Sequence, residues 1–191
     1  MRITGGSWRS RRLRGPGSGL ALRPTPDSMR ERGFAILGDR VVDERFLDLF
    51  AGTGAVGFEA LSRGAHQVVF VEHDRRAVSL IESNRAALSA ETSMTRILMR
   101  PTLRAIKELA QRGERFGLAW ADPPYESWPE GIEAVALAFE SGILVPDAVA
   151  CLECPDKADV ALQLPPSLDI ERDLKGGASR LVLIAARPPD Y

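Results

Sequence analysis

From Arg45 onward the chain alternates between two hydrophobic periods. Short apolar runs bounded by turn formers, at Phe46–Phe50, Gln67–Glu72, Thr95–Met99, Phe116–Ala121 and Ala148–Glu153, predict buried strands. Between them the spacing is helical: Gly54–Arg63 closed by Gly64, a helix capped by Asp74 and running to about Leu88, Pro101–Gln111 with proline in its first turn, and Glu130–Glu140. Strand and helix in alternation call for an α/β fold, a mostly parallel sheet with helices on both faces. Leu168–Leu174 and Ser179–Ala185 flank Lys175-Gly176-Gly177 and predict a terminal antiparallel hairpin, which makes the sheet mixed at that end.

The first 44 residues have a different texture. Residues 1–14 form two short segments around Gly5-Gly6-Ser7, a hairpin pattern with Trp8 and several arginines on its second arm. Gly15–Gly19 reads as a connector and Leu22-Arg23-Pro24-Thr25-Pro26 as a stiff extended stretch. Asp27 or Ser28, with Glu31 following, starts a helix that Gly38 ends after Leu37. The expected organisation is a small basic hairpin extension over residues 1–22 and one main domain over 23–191.

Charge sharpens this division. The chain of 191 residues has a net charge of −1, yet residues 1–32 carry eight arginines against Asp27 and Glu31, a net of +6, leaving −7 on the remaining 159. A basic extension on an acidic body suggests a polyanionic partner, with arginines forking onto phosphates and Trp8 stacking on a base. Cys151 and Cys154, with only His66 and His73 elsewhere, make a poor metal site, so no metal is expected. Neither a signal sequence nor an apolar run of membrane-spanning length is apparent, so a soluble, cytoplasmic, monomeric protein is expected.

Two motifs carry chemistry. The strand Phe116–Ala121 ends in Asp122-Pro123-Pro124-Tyr125, where two prolines stiffen the backbone and leave carbonyls as acceptors, Asp122 adds carboxylate oxygens and Tyr125 a flat face. Acceptors beside a stacking ring suit a planar group bearing an amino substituent. The other motif, Gly52-Thr53-Gly54-Ala55-Val56-Gly57, joins a strand to a helix and spells G-x-G-x-x-G, with Glu72 about 20 residues on. It admits a dinucleotide, or an adenosyl ligand without phosphates whose ribose hydroxyls bond to Glu72. Asp48 within the first strand favours the second, because its charge would repel pyrophosphate.

Asp48 to Gly54 resembles the first motif of Rossmann-like class I methyltransferases, and Asp122-Pro123-Pro124-Tyr125 the fourth motif of those that methylate exocyclic amino groups. With R-I-x-G-G-x-W-R at the start, R-P-T-x-D-x-x-R-E over residues 23–31 and D-L-F-A-G-T-G-A-V-G-F-E-A-L-S-R-G-A over 48–65, the chain is similar to the RsmD family, bacterial enzymes that methylate N2 of one guanine in 16S ribosomal RNA. The resemblance implies a seven-stranded methyltransferase sheet, S-adenosyl-L-methionine as cofactor, and ribosomal RNA, within the small subunit or its precursor, as partner. It implies cofactor contacts from Asp48, Phe50, Ala51, Gly52, Thr53 and Gly54, and from Glu72, His73 and Thr102. Catalysis falls to Asp122, Pro123, Pro124 and Tyr125, and RNA binding to Arg2, Trp8, Arg9, Arg11 and Arg12, with Arg23, Thr25 and Arg30. Where family members often carry an acid that binds the adenine amino group, this chain has Arg100-Pro101-Thr102, which leaves a backbone carbonyl to take that contact. The alternatives are an amino-group methyltransferase acting on adenine N6 or cytosine N4, an NAD-dependent oxidoreductase using the glycine loop, and a non-catalytic RNA-binding assembly protein.

Overall fold

A computed structural model of the chain describes residues 1–16 and 27–188. The Leu22–Pro26 stretch, with Arg23 and Thr25, and most of the Gly15–Gly19 connector lie outside the described residues. The strands are β1 (Arg45–Leu49), β2 (Gln67–Glu72), β3 (Thr95–Met99), β4 (Phe116–Ala121), β5 (Leu144–Pro155), β6 (Leu168–Gly176) and β7 (Ser179–Ala186). They form one sheet in the order β3-β2-β1-β4-β5-β7-β6. The pairs from β3 across to β5 are parallel, and β7 runs antiparallel to both β5 and β6. This is the seven-stranded mixed sheet that the sequence implied.

Helices α1 (Asp27–Leu37), α2 (Ala55–Ser62) and α3 (Arg75–Leu88) pack one face, against Phe46, Phe70, Leu118, Trp120 and Leu181. Helices α4 (Thr102–Gln111) and α5 (Trp128–Glu140) pack the other, against Leu47, Val69, Ala119, Leu152 and Val182. Two of the boundaries that differ from expectation have an evident cause. α5 starts two residues early, since Pro129 sits in the first turn, where its missing N–H leaves no helical bond unmade. β5 starts at Leu144 because the ladder continues through an irregularity: Phe116 pairs with Leu144, and Leu118 then pairs with Val149.

The two N-terminal segments meet around a loop that includes Gly5-Gly6-Ser7. Arg2 bridges to Arg12, and the Ile3 N–H donates to the Arg11 carbonyl at 3.0 Å, so the turn is a broad loop. Ile3 and Leu13 are buried in the same apolar cluster as α1, α2 and α3, and the segment is part of the packing of the body. The loop lies on α2, where the Ser62 carbonyl accepts the Ser7 N–H at 2.7 Å and the Ser62 hydroxyl accepts the Trp8 N–H at 2.9 Å. Gly6 has a φ of +72°, and a Cβ there would stand 1.8 Å from the Ser62 carbonyl oxygen, so the contact requires glycine.

One carboxylate gathers these elements. Glu59 of α2 is fully buried and accepts the Thr4 N–H (2.8 Å), the Thr4 hydroxyl (2.7 Å), the Gly5 N–H (2.8 Å) and the Nε–H groups of Arg63 (2.8 Å) and Arg30 (3.4 Å). Arg30 is itself fully buried and reaches back to Asp27 at 2.9 Å and to the Arg2 carbonyl. Removing one partner of such a buried ion pair leaves an uncompensated charge, a loss of about 3–5 kcal/mol. Glu59→Ala is therefore expected to lose stability on that order in urea denaturation, with residues 1–14 becoming cleavable by protease before the rest of the chain. Unchanged stability and protection would contradict the arrangement.

Candidate active site

The order of the strands reverses between β1 and β4, and in an open α/β sheet the crevice outside the carboxyl ends at such a point is where ligands bind. Both sequence motifs emerge there. Leu49 at the end of β1 pairs with Ala121 at the end of β4, so the glycine loop and the Asp122–Tyr125 loop leave the sheet side by side, and the Asp122 N–H still points at the Leu49 carbonyl at 3.5 Å.

The glycine loop is bent by three residues in the left-handed region: Phe50 at φ +62°, Gly52 at +53° and Gly54 at +76°. For an aromatic residue this conformation is strained, on the order of 1–3 kcal/mol, and persists only if the surroundings hold it. They do so through the Ala51 N–H to the Val71 carbonyl (2.9 Å), the Gly54 N–H to the Ala51 carbonyl (2.7 Å) and the Gly52 N–H to Glu72 Oε2 (2.8 Å). Thr53 is fixed from the other side, its carbonyl accepting from Asn84 Nδ2 at 3.0 Å and its hydroxyl meeting Met1 Sδ at 3.4 Å. Asn84, fully buried on α3, also exchanges two hydrogen bonds with the Arg14 backbone, at 2.8 and 3.1 Å. It thus joins the N-terminal segment to the glycine loop.

The two acids of this region are first of all backbone acceptors. Glu72 Oε1 takes the N–H groups of His73 (2.7 Å) and Asp74 (2.8 Å) while Oε2 takes that of Gly52. A carboxylate offers about four acceptor sites, so one remains on Oε2 for a ribose hydroxyl, where the sequence implied two such bonds. Asp48 is buried and accepts the Gly57 N–H in the first turn of α2 at 2.9 Å. That bond occupies the helix N-terminus on which a pyrophosphate would rest, and it places a carboxyl beneath it, so the loop fits an adenosyl group better than a dinucleotide. Asp48 thus supports the loop from within β1. The His73 side chain is largely exposed, with Nδ1 3.4 Å from Glu72 Oε1. Thr102 opens α4, and the Pro101 carbonyl beside it is already taken by the Arg104 and Ala105 N–H groups at 3.0 Å.

In the second loop Pro123 is buried and Pro124 exposed. The Pro124 carbonyl accepts the Ser127 N–H at 2.8 Å, so of the two proline carbonyls that of Pro123 is the one a bound group can use. Tyr125 stays 48% exposed, its hydroxyl reaching the Ala178 carbonyl at 3.4 Å in the β6–β7 turn.

With this geometry in view, likenesses to other proteins are informative. The family described as "Conserved hypothetical protein 95" matches residues 1–185. Ribosomal RNA small subunit methyltransferase D of Escherichia coli K12 is 37% identical over 155 residues, 80% of this chain and 74% of that protein. The chain belongs to the RsmD family of methyltransferases. The Haemophilus influenzae protein of the same name is 33% identical over 153 residues, 80% of this chain and 78% of its own. The solved structure of yhhF from Escherichia coli superposes with a TM-score of 0.79 at 30% identity, covering 97% of both chains.

Within this RsmD-family chain the cationic residues fare unequally. Arg9 and Arg12 are exposed, and Arg2 is exposed with Nε 3.9 Å from Asp27. Arg11 is exposed along its length but spends its guanidinium on the Ala87 and Leu88 carbonyls at the end of α3. Trp8 is half-buried, packed against the core. Arg30, expected on the RNA-facing surface, is buried with Glu59 and Asp27, because an ion pair that deep was invisible in a pattern that reads helix arginines as surface. Glu59, Ser62 and Asn84 were passed over. For Glu59 a signal existed, an acid alone in the apolar run V-G-F-E-A-L. No metal-ligating cluster occurs among the described residues. Nor is any helix among them long and apolar enough to cross a membrane.

Burial pushes the Asp48 carboxyl from 3.8 up to about 7, opposed by the Gly57 N–H bond and aided by the charge of Glu72. An acid that holds its proton more tightly when folded favours the folded state at low pH. Its contribution declines as pH rises from about 4 to about 7 and is constant above. Asp48→Asn keeps an acceptor for Gly57 and should remove that decline. Urea denaturation between pH 5 and 8 is expected to show the variant gaining on the wild type up to about pH 7; parallel profiles would refute the assignment.

Proposed function

We propose that this chain transfers a methyl group from S-adenosyl-L-methionine to the exocyclic N2 amino group of a guanine in small-subunit ribosomal RNA. The adjacency of the glycine loop and the Asp-Pro-Pro-Tyr loop at the β1–β4 switch point carries this reading, because it sets an adenosyl site beside a cluster of amino-group acceptors. The family relatives, named for methylation of small-subunit ribosomal RNA, support the substrate class.

The glycine loop, with Phe50, Ala51 and Thr53 held in place by Glu72 and Asn84, would seat the cofactor, and Glu72 Oε2 would receive a ribose hydroxyl. When bound, the cofactor supplies an electrophilic methyl group on a sulfonium. The amino nitrogen of guanine is a poor nucleophile, since its lone pair is delocalised into the ring. The Asp122 carboxylate and the Pro123 carbonyl accept its two N–H bonds, draw it toward tetrahedral geometry and aim the lone pair. With the methyl group supplied by the bound cofactor, Asp122 and Pro123 would hold the amino nitrogen in this geometry while one of its protons is released to water. Tyr125 stacks on the extruded base, offsetting part of the few kcal/mol that unstacking costs. Positioning and fixed acceptors carry most of the rate.

Arg9 and Arg12 contact phosphate, each adding to the salt dependence of binding. Asp122→Ala should leave S-adenosyl-L-methionine binding by calorimetry intact while transfer of labelled methyl to unmodified small-subunit RNA or particles falls by about 100-fold or more; near-normal turnover would reject the assignment. Because residues 1–14 share the core, their deletion would confound folding with binding, and the surface substitutions Arg9→Ala and Arg12→Ala are the cleaner probe. Each should lower the slope of log affinity for RNA against log salt by about 1, with cofactor affinity unchanged. Identical salt slopes in variant and wild type would exclude these contacts.

A further inference from the structure

Acceptors alone hold the amino group of adenine or cytosine as well as that of guanine. We propose that Glu153, next to the Asp122 loop on the end of β5, is the residue that selects guanine, by accepting its N1–H while Asp122 and Pro123 hold the adjacent N2. This deepens the reading above and rests on it.

The register places the residue. Trp120 lies beside Cys151 and Ala121 beside Leu152, so one rung further Asp122 stands beside Glu153. Side chains alternate across the sheet, and the clusters show how: Trp120, Cys151 and Leu181 share one face, while Ala121, Leu152 and Val182 share the other. Glu153 lies directly opposite Leu181 and therefore projects on the Trp120 face. Asp122, whose N–H still meets the Leu49 carbonyl just past the end of β4, follows the same alternation onto that face.

A second observation ties Glu153 to the catalytic loop. Ser179 donates its hydroxyl to Glu153 Oε1 at 3.1 Å, and the neighbouring Ala178 carbonyl accepts the Tyr125 hydroxyl at 3.4 Å and the Asp156 N–H at 3.0 Å. The aromatic ring and the carboxylate are thus anchored on consecutive residues of one turn, which fixes their separation and aims the carboxylate. Glu153 is half-buried, in surroundings partly shielded from water, where hydrogen-bond mismatches are strongly felt.

The chemistry discriminates by sign. Beside its amino group guanine presents N1–H, a donor, whereas adenine presents the N1 lone pair and cytosine the N3 lone pair. A carboxylate accepts the first and repels the other two. A site built to bond a substrate N–H rejects an analogue lacking it by factors of about 10⁴–10⁵ at best, so a loss of about 100-fold or more is expected here.

The test places guanosine or 2-aminopurine riboside at the methylated position of small-subunit RNA, mapped with the wild-type enzyme. The analogue keeps the 2-amino group and stacking surface but carries a lone pair at N1. Wild type should prefer guanosine by about 100-fold or more in kcat/KM. Glu153→Gln, whose amide can accept from Ser179 and donate to an N1 lone pair, should lose guanosine activity by a similar factor and gain on the analogue, with cofactor affinity unchanged. A merely structural role would lower activity on both substrates together. Equal use of the two nucleosides by wild type, a measurement independent of any variant, would overturn the proposal. So would an unchanged ratio in Glu153→Gln. Failure of wild type to methylate the guanosine RNA at all would instead overturn the functional reading, and this proposal with it.

Discussion

A carboxylate with no exposure to water, Glu59, holds the N-terminal segment, α1 and α2 in one arrangement. Its charge is tolerable because five donors converge on it, two of them guanidinium groups and two of them backbone N–H groups of the N-terminal loop. An ion this deep gains little net stability over an apolar packing of the same volume. What it supplies is geometry, since only a chain with Thr4, Gly5, Arg30 and Arg63 in these places satisfies it. The exposed arginines of the N-terminal loop are therefore presented at a defined position on the body.

The consequence runs along α2. One end of this helix begins at Ala55, directly after the left-handed Gly54 of the glycine loop; the other ends at Ser62, which clasps Ser7 and Trp8. The surface that carries the exposed arginines and the glycine loop are thus at opposite ends of one short rod. Asn84 makes a second connection between the same two regions, through Arg14 and Thr53. Order in the N-terminal segment and order in the glycine loop are consequently coupled by buried hydrogen bonds, whose loss leaves polar groups stranded at about 1–3 kcal/mol each.

Legibility followed the range of the interactions. Strand and helix positions, the Asp74 cap and the terminal hairpin are set by local period and turn chemistry, and the sequence showed them to within a few residues. The resemblance supplied the sheet and its cofactor loop. Hidden were partnerships across long separations: Arg30 with Glu59, 29 residues apart, and Asn84 with Arg14, 70 apart. A basic N-terminus reads as a solvated arm unless its few apolar residues are weighed, and Ile3 and Leu13 were the sign that it packs. Likewise nothing local reveals that backbone N–H groups already claim oxygens of Glu72 and Asp48.

The placement of α1 shows how far the beginning of the chain reaches into the crevice. Gly33 lets this helix lie flat on the sheet: a Cβ there would stand 2.5 Å from the Trp120 ring and 2.6 Å from Leu181. Phe34 stacks on Trp120 with centroids 5.5 Å apart, and Met29 fills the space that a side chain at Gly176 would need. Trp120 and Leu181 lie on the same face as Asp122 and Glu153, so α1 forms the floor against which that end of the crevice is built. Because α1 is also tied to Glu59 through Arg30, the floor of that end of the crevice, the cationic loop and the glycine loop belong to one packing unit. A base drawn from RNA lying on the N-terminal surface would therefore meet a site whose depth is set by the same helix that anchors that surface.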